Sequence, residues 1–180
     1  MPAILRSLQR LLEVFEENSV AYMVIGGYAL PFYGRIRTTV DIDLAVAVRS
    51  EKELSQLCRW LRSEDFEVTA GSFRNPLIVV LDRKEKVEIE LWLRPDGIVF
   101  DREALRRRRK VKLDANVEAW VVSPEDFIVN KLARPDRGVV DEQDAKSALV
   151  RQQGKLDEKY LKKRARKAGV LTILQIIQAQ

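Results

Sequence analysis

A chain of 180 residues and 20.7 kDa, 46 % hydrophobic and 33 % charged, has the material for one compact core, or a core with a small appendage, and does not have a disordered composition. One cysteine excludes an internal disulfide framework and a zinc knuckle. Zero histidines remove His-based triads, His general bases and nearly every His-ligated metal site, so any catalysis rests on carboxylates, Lys, Arg or hydroxyls, and any metal is expected to be a hard one. A net charge of +5 permits a polyanionic partner without demonstrating one.

The chain opens on an amphipathic helix over Ile4 to Phe15, with Leu8, Leu11, Leu12 and Phe15 at helical spacing, broken at Asn18-Ser19. Ala21 to Ile25 reads as a short buried strand stopped by Gly26-Gly27. A short helix follows from Tyr28 to Tyr33, then a strand from Val40 to Val48. Ser50 to Ser63 is a helix with Ser50 and Glu53 as a capping box and Leu54, Leu57, Cys58 and Leu61 on one face, which makes Cys58 a core residue. Strands are expected near Phe66-Thr69, Leu77-Asp82 and Val87-Leu93, the last two joined as a hairpin. A helix is expected over Asp101-Arg109 and a strand over Glu118-Val122. Ser123-Pro124-Glu125-Asp126 starts a helix, and the pattern stays helical to Gln180 with breaks near Arg134-Gly138, Gly154 and Gly169. The expected architecture is α/β (α+β), a mixed sheet flanked by helices: a β-rich part over 1–122 and a helical part over 123–180. No apolar run nears the roughly 20 residues that span a bilayer, and Met-Pro-Ala-Ile-Leu-Arg is not a signal peptide. A cytoplasmic protein with no membrane partner is expected.

Chemistry concentrates between Val24 and Leu44. A strand running into Gly26-Gly27 and a helix exposes backbone N–H groups that can cradle a triphosphate, although a Gly-Gly pair alone is more often only a turn. Asp41-Ile42-Asp43 adds two carboxylates two residues apart, which in a strand project from one face and repel unless a cation neutralises them. The apolar Leu44-Ala45-Val46-Ala47-Val48 that follows marks a buried strand with acids at its tip, against the alternative of a solvated edge strand. Glu88 and Glu90 share a face of another strand, and alternation does not decide which of them joins the aspartates.

Gly26-Gly27, Arg37-Thr38, Asp41-Ile42-Asp43 and a carboxylate on a later strand resemble the polymerase-β-type nucleotidyltransferase superfamily. Ser123-Pro124-Glu125-Asp126, Lys131-Leu132 and the Asp141/Asp144 pair are similar to its small stand-alone branch, which includes AbiEii-type toxins. The resemblance covers roughly residues 20 to 165. It implies that Gly26 and Gly27 contact nucleotide phosphates, with Arg37, Thr38 and Lys131 as further nucleotide-binding candidates. It also implies that Asp41 and Asp43 ligate two Mg²⁺ ions, with Glu90 as the third carboxylate and activator of the acceptor hydroxyl. Glu90 is favoured over Glu88 because it precedes Leu91-Trp92-Leu93, where such relatives place an aspartate. The implied reaction moves NMP from an NTP to a hydroxyl acceptor with pyrophosphate released; the basic surface favours RNA, such as the tRNA 3′ end that the toxin-like relatives suggest, with a protein hydroxyl or a small molecule as the open alternatives, and the same resemblance raises an antitoxin protein as a partner.

Asp141 and Asp144, three apart on a helix, either orient Lys131 or Arg37 or pair with Arg134 and Arg137, while Lys131 itself is either a triphosphate ligand or a snorkelling lysine. Arg106 to Lys110 and the Lys162, Lys163, Arg164, Arg166, Lys167 series are basic runs that either form a solvated face or steer RNA. Tyr28, Tyr33 and Trp92 read as packing residues. Two other readings stand beside the enzyme: a catalytically weak module of the same fold binding a protein or RNA, and a metal-dependent hydrolase, which leaves Gly26-Gly27 and Lys131 unexplained.

Overall fold

The computed structural model describes residues 1–39 and 41–179; Val40, the first residue of one expected strand, and Gln180 lie outside them. In chain order the elements are α1 (Ala3–Glu17), β1 (Tyr22–Val24), α2 (Gly26–Tyr33), β2 (Asp43–Val46), α3 (Glu51–Ser63), β3 (Phe66–Ala70), β4 (Leu77–Asp82) and β5 (Val87–Trp92). They continue with α4 (Arg102–Arg107), β6 (Arg109–Asp114), β7 (Val117–Val121), α5 (Pro124–Ala133), α6 (Val139–Arg151), α7 (Glu158–Lys167) and α8 (Leu171–Gln178).

The strands make one mixed sheet in the order β3-β4-β5-β2-β1-β7-β6. β1 runs antiparallel to β2 and parallel to β7, and β2 runs parallel to β5. The middle strands β1 and β2 are continuously apolar apart from Asp43, and Tyr22, Met23, Val24, Leu44, Ala45 and Val46 are all buried. Burial on both faces requires cover on both sides. α1 and α3 pack together as one layer, and α2, α5, α6, α7 and α8 form the other. A single apolar cluster joins the sheet to both layers, from Leu8 and Phe15 of α1 to Leu161 and Leu174 of the last helices.

Local chemistry sets the boundaries. Ser50 accepts the Glu53 backbone N–H, while the Glu53 carboxylate reaches back to the N–H of Arg49 rather than that of Ser50. Ser123 accepts the Asp126 N–H, with Pro124 in the first helical position. The Cys58 thiol, pushed up by burial, packs against the core as expected.

Three differences from the sequence reading matter. The helix after β1 begins at Gly26 rather than Tyr28, so both glycines belong to its first turn. The strand carrying the aspartates is shorter, from Asp43 to Val46, with Asp41 ahead of it. β6 was not anticipated: the helix over 101–109 ends at Arg107, and the basic run continues as an edge strand paired to β7.

Interior contacts account for the part of the basic run just ahead of β6. Arg107 stacks on Tyr160 at 4.0 Å and pairs with Asp157 at 2.7 Å, and Arg108 lies over Trp120 at 4.3 Å while donating to the Tyr22 carbonyl. Arg164 is not on a solvated face. It is 2 % exposed, bonded through both terminal nitrogens to Asp101 at 2.7 Å and through Nε to the Tyr160 hydroxyl. Its helix turns a buried arginine inward among exposed lysines, a distinction that composition alone does not carry.

Candidate active site

Asp43 opens β2 directly opposite Glu90 of β5 in parallel register. The Glu90 N–H donates to the Ile42 carbonyl at 3.0 Å and the Ile25 N–H to the Asp43 carbonyl at 2.9 Å, so the ends of β1, β2 and β5 are tied together here. Glu90 is half-buried beside Asp43, whereas Glu88 is exposed and faces Leu81 of β4. Burial, then the charge and hydrogen bond of Asp43, raise the Glu90 carboxyl above the usual range. The Trp92 N–H pulls the other way, and Asp41 adds a further upward push. The two acids therefore crowd each other, and Asp41 lies close enough to be felt.

Gly26 has φ +61 and lies against the Asp43 side chain: a Cβ there would stand 2.0 Å from Asp43 Oδ2. Only glycine combines that backbone conformation with that approach. Gly27 is buried against Thr39, where a Cβ would come within 2.4 Å of the hydroxyl oxygen. The turn thus places α2's first N–H groups, which lack partners within the helix, next to the acidic pair.

A cation cluster stands across the cleft. Lys131 of α5, 3 % exposed, donates to Asp141 Oδ1 at 3.0 Å and lies 3.3 Å from Asp144 Oδ2. Asp144, fully buried, also holds Arg37 at 3.0 Å and Arg35 at 2.9 Å. Burial alone would raise the Asp144 carboxyl; hydrogen bonds from Arg37 and Arg35 and the charge of Lys131 outweigh it and hold the carboxyl below the usual range. Arg134 pairs with Asp136 at 3.1 Å and approaches Asp141 at 3.9 Å. Of the arrangements open from sequence, the acids orient Lys131 and Arg37, and Asp141 also meets Arg134. Arg137 pairs instead with Glu142.

Gly26, Asp43, Trp92, Asp96, Lys131 and Arg134 line one cleft. Burial raises the Asp96 carboxyl, and Asn130 donates to the Asp96 carbonyl at 2.8 Å. Among the described residues no three Cys, His, Asp or Glu side chains stand in a ready-made ligating group. The donor set nevertheless fits a hard divalent cation. Asp43 and Glu90 are oxygen donors pressed together at the cost of raising Glu90, and Asp41 adds a third negative charge.

The structure therefore brings together Gly26, Gly27, Asp43, Glu90 and Lys131, and joins Arg37, Asp141 and Asp144 to Lys131. Thr38 is exposed, and its carbonyl accepts from Arg37 at 3.1 Å. Sequence reasoning missed Arg35 and Thr39, which sit in the same loop as Arg37 without a distinguishing spacing. It also took Trp92 for packing, although its indole N–H donates to Asp43 Oδ1 at 3.2 Å.

Among the described residues no helix is long and apolar enough to cross a membrane. No curated protein matches the chain. Similar solved structures share the fold at low identity. An antigenic nucleotidyltransferase-like protein from Paracoccidioides brasiliensis is 20 % identical with a TM-score of 0.55, over 98 % of this chain and 93 % of that one. ANT(2")-Ia in complex with adenylyl-2"-tobramycin is 13 % identical with a TM-score of 0.58, over 91 % and 95 %. The lincosamide antibiotic adenylyltransferase LnuA, lincomycin-bound, is 16 % identical with a TM-score of 0.52, over 79 % and 94 %. Residues 4–169, nearly the whole chain, match the family model described as a nucleotidyl transferase of unknown function (DUF2204), and the chain belongs to that family.

Proposed function

We propose that the protein transfers a nucleoside monophosphate from an NTP to a hydroxyl on RNA, in a Mg²⁺-dependent reaction that releases pyrophosphate. The observation that carries the reading is the in-register pairing of Asp43 with Glu90 beside the Gly26 turn, facing Lys131 across one cleft. Asp41, Asp43 and Glu90 would hold the metal, which when bound supplies positive charge to the phosphate as charge develops in an in-line displacement. The N–H groups of the Gly26-Gly27 turn and the Lys131 ammonium bind and orient the triphosphate, with Arg37 at the rim. The acceptor oxygen forms its bond to the α-phosphorus as the bond to the α,β-bridging oxygen breaks, and pyrophosphate leaves. The acceptor's proton passes to the carboxylate of Glu90, which stands in register with Asp43.

RNA as acceptor is supported by the solvent-facing Arg106, Arg109, Lys110, Lys162, Lys163, Arg166 and Lys167, the part of the basic runs that is not drawn into the interior. Total RNA incubated with Mg²⁺ and each α-³²P-labelled NTP in turn, beside protein carrying Asp41→Asn and Asp43→Asn, tests the reading. Label in RNA that disappears with the double variant is the expected result. Label only in a small molecule, of the kind that the adenylyl-2"-tobramycin of ANT(2")-Ia and the lincomycin of LnuA exemplify, would replace RNA while keeping the chemistry. Label in no acceptor would overturn the transfer itself.

A further inference from the structure

We infer that Trp92 is a positioning residue for the acidic centre: its indole N–H orients the Asp43 carboxylate for a divalent cation without neutralising it. The inference rests on the reading of Asp43 as a metal ligand given above.

Trp92 and Glu90 lie two residues apart on one face of β5, and Glu90 is in register with Asp43 of the neighbouring strand. Trp92 is thereby the diagonal neighbour of Asp43, near enough for a long aromatic side chain to reach it. Its Nε1 donates to Asp43 Oδ1 at 3.2 Å. The other oxygen, Oδ2, lies in the space that a Cβ on residue 26 would fill. The carboxylate is therefore restrained on two sides, by the indole at one oxygen and by the bare backbone of Gly26 at the other. Both restraining residues line the cleft with Asp43, so the carboxylate is held at the surface where a ligand enters.

The chemistry of the donor is informative. Indole has a single N–H, no acceptor and no charge. Other acids of this chain are held by cations: Asp144 by Arg35, Arg37 and Lys131, and Asp101 by Arg164. A guanidinium at position 92 would neutralise Asp43 and compete with any divalent ion. An indole fixes the geometry and leaves the negative charge in place. Hydrogen-bond partners of metal ligands commonly set affinity in this way, their removal costing about 10–100-fold.

The test is direct metal binding, with Mn²⁺ as the probe read by its free-ion EPR signal, on the native chain, Trp92→Phe and Asp43→Asn. Trp92→Phe retains an aromatic ring and removes the N–H; its melting temperature, compared with native, reports on folding. The expected result is Mn²⁺ affinity weakened by at least about tenfold in Trp92→Phe and abolished in Asp43→Asn. A second readout needs no folded variant at position 92. In nitrogen-15 tryptophan-labelled protein, the Trp92 indole resonance should shift saturably with Mg²⁺ while those of Trp60 and Trp120 do not. Native affinity in Trp92→Phe, or an unresponsive Trp92 resonance, would overturn the role of Trp92 while Asp43→Asn still upholds the metal site. Undiminished Mn²⁺ binding in Asp43→Asn, or none in the native chain, would overturn the metal-site reading and this inference with it.

Discussion

Asp144 of α6 holds the guanidinium of Arg37 at 3.0 Å across 107 residues of sequence. The contact ties the loop that leads to Asp41 onto the helical layer. Arg35 and Lys131 meet at the same carboxylate, so one buried acid sets the placement of three cations. Asp144→Asn removes the charge and keeps the shape. Lys131 retains Asp141, and both arginines can turn toward water, so the loss should fall below the 3–5 kcal/mol typical of a broken buried pair, at about 2 kcal/mol. Urea unfolding would measure it, and the KM for NTP should rise in the same variant.

Gly26→Ala should be severe for activity and mild for folding. A Cβ there meets Asp43 Oδ2 at 2.0 Å, and φ +61 is disfavoured for any other residue. The displaced carboxylate should lower kcat by about a hundredfold or more, since the charge stabilisation it supports is worth several kcal/mol. Stability should fall by only about 1–2 kcal/mol, from the backbone strain. Label transfer and a thermal melt on one preparation separate the two effects.

Glu90→Gln and Glu88→Gln distinguish the two alternating acids of β5. Glu90 stands in register with Asp43 and loses its proton-accepting carboxylate, so transfer should drop by about 10²–10⁴-fold. Glu88 is exposed opposite Leu81, and its variant should stay within about twofold of native, as surface substitutions usually do. Equal losses in both would sink the assignment.

Acid stability should depend on Asp101. The bidentate Arg164 pair holds its carboxyl at about 2, below the ordinary 3.8. A depressed carboxyl contributes stability that is complete above the ordinary value and is lost as pH falls through the folded one. The window therefore runs from about pH 4 to about pH 2. The shift alone corresponds to about 2.4 kcal/mol. Asp101 is 39 % exposed, and solvent screening reduces the contribution to about 1 kcal/mol. Urea midpoints across that window should fall in the native chain and flatten in Arg164→Met.

The legible parts of the sequence were those where pattern and environment agree. Leu77 to Asp82 is a β-branched apolar run closed by an acid and is a strand with those ends; Ser50 and Ser123 announced their helices through caps. Asp43 and the glycine turn stood out because each carries a physical cost that calls for a compensating partner, and the structure sets them side by side, with Asp41 outside the strand it was expected to share. β6 was not legible, because Arg109-Lys110-Val111-Lys112 has the charge density of a solvated helix end, and only its pairing with β7 makes it a strand. Arg35 and Arg164 were hidden for a related reason. Nothing in a one-dimensional run of basic residues says which of them meets a buried acid, since that choice belongs to the packing of α6 on its loop and α7 on α4.

β6 closes one end of the sheet, with Arg109, Lys110 and Lys112 exposed along it. An edge strand offers unpaired N–H and C=O groups to any other strand that approaches, and lysines and arginines spaced along it penalise that approach. Two copies meeting rim to rim would bring these cations face to face. Part of the chain's positive charge thus serves as insulation, opposing the addition of a further strand at this rim, and added salt would thin that protection.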